Sequence, residues 1–139
     1  MDNRKSNDRS PKSPSLHVRC FLAVQVVCFV GAGLNHARDI WQGGWLPYEA
    51  APLTMNAYWT ALAPLDLLAA GLLLTRPKAG VALALLIMVS DVAVNSYAHY
   101  GLGFSGWYGD LALQLQSTFL GFVVGAAPLV WWARDRPKI

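Results

Sequence analysis

Residues 89–100 read V-S-D-V-A-V-N-S-Y-A-H-Y and close an apolar run that begins at Ala79. One carboxylate, Asp91, lies inside the run, and Asn95 and His99 follow at steps of four. Such steps put side chains on one face of a helix. A bare acid in an apolar segment of membrane length is costly, so it must face something polar. The stretch therefore predicts an integral membrane protein whose other segments supply that polar surface.

The composition agrees. The chain has 139 residues, 55% of them hydrophobic and only 14% charged. Ordinary soluble domains carry about 25% charged residues. The net charge of +3 is not a nucleic-acid footprint, since no basic stripe with interleaved aromatics exists. The expected partner is the lipid bilayer and not nucleic acid. Cys20 and Cys28 lie eight residues apart in one apolar run. That is ~12 Å along a helix, too far for a disulfide, and packing is their expected role.

Four apolar segments are long enough to cross a hydrocarbon core, which takes about 20 residues. They predict helices over about 16–39, 53–75, 79–100 and 111–132. Together they form one four-helix domain over 16–133. A disordered basic tail is expected over 1–15 and a basic tail over 134–139. The basic start and the small residues at 31–33 also fit a signal peptide. The long start and three further apolar runs favour a span. Pro64 inside the second segment leaves the Thr60 carbonyl without its usual donor. Asp110 is a candidate N-cap for the fourth helix.

Orientation follows from lysine and arginine. Both tails and the Arg76-Pro77-Lys78 turn are basic. The 100–109 loop has no basic residue, and the first connection, Asn35 to Pro52, has one arginine, Arg38, offset by Asp39 and Glu49. Basic segments stay in the cytoplasm. The expectation is an all-α, up-down-up-down membrane bundle with both termini cytoplasmic, in a bacterial inner membrane. Trp41, Trp45 and Tyr48 carry the rings that settle at a membrane interface.

Each helix also carries a polar line. The first has Gln25, Cys28, Asn35, His36 and Asp39; the second has Trp59 and Asp66, with Asn56 to one side. The third has Asp91, Asn95 and His99. The fourth has Asp110, Gln114, Ser117 and Thr118, continuing into Gly121 and Gly125. Away from water these groups are expected to turn toward one another. Counting from the Arg76–Lys78 turn at ~1.5 Å per residue puts Asp66 and Asp91 at similar mid-membrane heights. The candidate site is a cleft lined by Asn35, His36, Asp39, Trp59, Asp66, Asp91, Asn95, His99 and Gln114. It opens outward and ends at two acids that should not both ionise.

His36, Asp39 and His99 are a candidate metal set by residue type, but no H-x-x-x-H or H-x-x-E-H pattern accompanies them. The residues do not specify a cofactor. Gly121 and Gly125 form G-x-x-x-G, which predicts a close helix contact inside the bundle ahead of a homodimer seam.

The segments N-H-A-R-D-I-W-Q-G-G-W-L-P-Y at 35–48 and I-M-V-S-D-V-A-V-N-S at 87–96 read as signature stretches. In size and helix count the chain resembles the short four-helix inner-membrane proteins of bacteria, and loosely the DoxX-like group. That resemblance implies association with a membrane redox complex. The chain is also loosely similar to EXPERA-type four-helix domains, which implies a sterol-like ligand held by buried acids and aromatics. Neither resemblance transfers a residue role. The leading expectation is a non-enzymatic membrane protein whose cleft binds a small or lipid-like ligand or supports a membrane complex. The alternatives are a membrane enzyme or redox-complex subunit using the buried acids and histidines, and a proton- or ion-handling homo-oligomer.

Overall fold

The computed structural model describes residues 15–104 and 107–133. The expected tails, apart from Ser15, lie outside the described residues. Of the described residues 89% are helical, and none is in a strand. The elements are α1 (Leu16–Gly43), α2 (Leu53–Thr75), α3 (Pro77–Ser96), a π-helical turn (Tyr97–Gly101) and α4 (Trp107–Ala133). Among the described residues four helices are long and apolar enough to cross a membrane, the build of a membrane protein.

The long apolar runs carry these helices, because in lipid every backbone N–H and C=O needs an internal partner. α2 runs through Pro64 without ending. A single residue, Arg76, separates α2 from α3, and Pro77 opens α3 at a position where its missing N–H costs nothing. The hairpin is tight at Gly80. A Cβ there would stand 2.6 Å from Leu73 Cα, so only glycine fits. Gly33 does the same for α1 and α2, since its Cβ would meet Ala63 O at 3.1 Å and Leu67 Cγ at 2.9 Å.

α1 packs on α2, α2 on α3 and α3 on α4, and α1 closes lightly on α4. The core gathers Phe29, Leu62, Leu73, Val81, Val123 and Val130. Phe21 meets Phe122 at 5.3 Å and Phe29 meets Phe119 at 5.7 Å between ring centroids, closing the α1–α4 side.

Two expectations are corrected here and one is refined. The third span, expected as one helix over 79–100, runs Pro77–Gly101 and is α-helical to Ser96. A π-turn follows in which the Leu102 N–H bonds the Tyr97 carbonyl five residues back. Asp110 lies in the first turn of α4 and is not its cap. Gly121 and Gly125 make no internal contact, since nothing lies within 4 Å of a Cβ built on either. The inward face of α4 is instead the bulky line Phe119, Val123, Ala126 and Val130.

Candidate functional site

The polar side chains gather at one end of the bundle, around three tethers. The first ties the α1–α2 connection to both of its helices. The Tyr48 hydroxyl donates to Asp39 Oδ2 at 2.9 Å and lies 2.8 Å from His36 Nδ1. A phenol has one proton to give. With that proton on Asp39, His36 Nδ1 must carry its own and donate to the Tyr48 oxygen. Burial, then the bond and charge of Asp39, push the Tyr48 phenol above its ordinary value of 10.0.

Asn56, buried on α2, makes the second tether. Its Nδ2 donates to the Leu46 carbonyl at 2.9 Å, and its Oδ1 accepts the Tyr48 N–H at 3.2 Å. Leu46 has φ 64°, a conformation a branched residue rarely adopts. The two Asn56 bonds hold it there.

The third tether is a hub on α3. Asn95 Oδ1 accepts the Trp59 indole N–H at 3.1 Å, and its Nδ2 donates to Asp91 Oδ1 at 2.7 Å and Gln116 Oε1 at 3.1 Å. An indole N–H only donates, which fixes which end of the Asn95 amide faces Trp59. The Tyr48 ring meets Trp59 edge-on at 5.3 Å. A continuous belt therefore runs from His36 on α1 through Tyr48, Trp59 and Asn95 to Gln116 on α4. Tyr58 adds a second α2–α3 link, its hydroxyl 2.8 Å from Ser90 Oγ.

Asp91 is 8% exposed and Asp66 3%. They are close enough to act on each other electrostatically. No hydrogen bond reaches the Asp66 carboxylate among the described residues. His99, carried by the π-turn, places Nε2 3.2 Å from Asp110 Oδ1, while its Nδ1 is buried and unpartnered. Between α2, the end of α3 and α4 lies a cavity of about 150 Å³. Its polar wall is Trp59, Asn95, His99 and Gln116, and Phe104 and Leu113 are among its apolar lining.

The structure thus brings together Trp59, Asp91 and Asn95, with His99 across the cavity and Asp66 buried on α2. His36 and Asp39 join through Tyr48. Asn35 and Gln114 are exposed and take no part. The candidate metal set does not assemble: among the described residues no group of three His, Cys, Asp or Glu side chains is placed to hold an ion. His36 is turned to the Tyr48 hydroxyl and His99 to the Asp110 carboxylate.

Tyr48, Asn56 and Gln116 were not among the expected site residues. Gln116 was hidden by helix phase. It stands three residues before Phe119 on the inward line of α4, two positions from the expected Gln114. Tyr48 reads from sequence as an interfacial ring, and nothing local reveals that its hydroxyl reaches back to α1.

The fold and this belt define a multi-pass, four-helix membrane protein with a polar cavity at one end. No family model matches the chain, and no curated protein or solved structure matches it. The resemblances to DoxX-like and EXPERA-type proteins rest on size and helix count alone.

Proposed function

We propose that this chain is a multi-pass protein of the bacterial cytoplasmic membrane whose outward-opening polar cleft binds a small or lipid-like ligand without chemically changing it. Its helices run up-down-up-down with both termini in the cytoplasm. The distribution of lysine and arginine supports that orientation, with basic residues in both tails and at Arg76 and Lys78. It puts the Tyr48 belt and the cavity on the outer side.

One observation carries the ligand reading. The cavity of about 150 Å³ joins an apolar lining to a few convergent polar groups, the usual make-up of a small-molecule site. The test is a native mass spectrum of the protein released gently from its own membrane. A reproducible added mass, lost when Ala112→Phe fills the cavity, is the expected result. Bare protein from several membrane preparations would count against the reading.

A second reading, proton handling, draws on Asp66 and Asp91. Two carboxylates in a low dielectric need a proton or cation between them, and Asn95 connects Asp91 to the cavity wall. Reconstituted vesicles should then show a proton leak that Asp66→Asn and Asp91→Asn each abolish. Vesicles as tight as empty ones would remove this reading and leave the first intact.

A further inference from the structure

The hydrogen-bonding groups left over in the cavity specify its occupant, given that the cleft is a binding site as proposed above. Both polar atoms of the Asn95 amide are engaged. Its oxygen takes Trp59 N–H, and its two amide protons go to Asp91 and Gln116. Gln116 therefore presents its oxygen to Asn95. Its Nε2, with two protons, makes no bond among the described residues.

His99 is constrained in the same way. Nε2 faces the Asp110 carboxylate at 3.2 Å, so Nε2 is the nitrogen that carries the proton. In the neutral ring Nδ1 is then a lone pair, buried and without a donor. In a neutral imidazole one nitrogen donates and the other accepts. The His99 and Gln116 side chains both line the cavity. They offer an unfilled acceptor on His99 and two unfilled N–H donors on Gln116.

Size narrows the choice. An enclosed cavity of about 150 Å³ holds one six-membered ring, and this half-open pocket has about that volume, with Phe104 and Leu113 among its lining. A hydroxyl both donates to an imidazole and accepts from an amide. We infer that the cavity binds a ring hydroxyl of the phenol class, the O–H donating to His99 Nδ1 and its oxygen accepting from Gln116 Nε2. The same chemistry arises in a free phenol and in the headgroup of a membrane-borne phenolic lipid.

Fluorine NMR on the full chain in nanodiscs tests this with 4-fluorophenol, 4-fluoroanisole and fluorobenzene. The three share a ring; the second lacks the donor and the third lacks both groups. The phenol should bind saturably and about tenfold more tightly than either analogue, the order expected for a lost hydrogen bond. Gln116→Leu should shrink that advantage while fluorobenzene binding holds. Ala112→Phe, or Leu113→Trp if the first does not fold, should abolish all three.

Equal binding of the three probes overturns the inference but leaves a binding cavity. No saturable binding of any probe to folded protein overturns both. Solvent extraction of the purified protein then separates the two sources. A lipid with a ring hydroxyl identifies a membrane-borne ligand, and its absence beside tight 4-fluorophenol binding identifies a free one.

Discussion

Asn95→Leu tests the hub directly. The two side chains are similar in volume, so the change leaves little void and removes hydrogen bonds almost alone. Three are lost, to Trp59 Nε1, Asp91 Oδ1 and Gln116 Oε1. Side-chain bonds between membrane helices average ~0.6 kcal/mol and reach ~1.7. The bond to Asp91 Oδ1, at 2.7 Å the shortest of the three, belongs at the strong end. The sum is about 2–3 kcal/mol. It is large because α2 and α4 each lose a polar link to α3 at once. Reversible unfolding in bicelles by steric trapping reads this difference. A double-mutant cycle with Trp59→Phe isolates one bond and should return a coupling of about 0.6–1.7 kcal/mol. A loss below about 0.5 kcal/mol, or a coupling of zero, would refute the hub as a source of stability.

Tyr48 carries a pH signature. Its folded pKa is raised by burial and by Asp39, so its contribution to stability is complete below the unfolded value near 10 and declines as pH rises beyond it. Between pH 9 and 11 the wild type should lose more stability than Tyr48→Phe, read by thermal melts in detergent; parallel curves would contradict the assignment. Gly80→Ala forces a Cβ onto the Leu73 backbone and should cost about 1–3 kcal/mol or more. Gly125→Ala meets nothing within 4 Å and should stay within ~0.5 kcal/mol; equal losses in the same unfolding assay would break the packing argument. Gln25 is 0% exposed, with both amide atoms unpartnered. Gln25→Met should therefore stabilise the bundle by about 1–3 kcal/mol, and a loss would reveal a partner for that amide.

The four helices were legible because length and apolarity alone decide them. A run such as Leu53–Thr75 with one acid in 23 residues has few alternatives to a span. The heart of the site was legible for a related reason. Trp59, Asp91 and Asn95 are groups that lipid cannot satisfy, so they had to meet. The π-turn at Tyr97–Gly101 was not legible. It depends on where the Leu102 and Phe104 N–H groups find carbonyls, and no residue pattern in Y-A-H-Y-G announces that. Nor was the Asn56 clasp, which acts through the backbone of Leu46 and Tyr48.

The misplaced polar face of α4 shows which polar residues in a membrane helix carry information. Thr118 was expected to turn inward, yet its hydroxyl donates to the Gln114 carbonyl of its own helix at 2.8 Å. Thr75 does the same to Gly71, and Ser90 to Leu86. A hydroxyl that closes on the preceding turn needs no neighbour and says little about which way a helix faces. Gln114 lies one turn from Asp110, near the end of α4, and a long side chain there can extend toward the interface. Amides, indoles and carboxylates deep in a span have neither escape. Applied to this chain, that criterion leaves Gln25, Trp59, Asp66, Asp91, Asn95 and Gln116, all at least partly buried. Four of them are bonded to one another. Gln25 and Asp66 lack a hydrogen bond among the described residues, so they are the positions inside the bundle where a proton, a water or a bound molecule has the most stability to add.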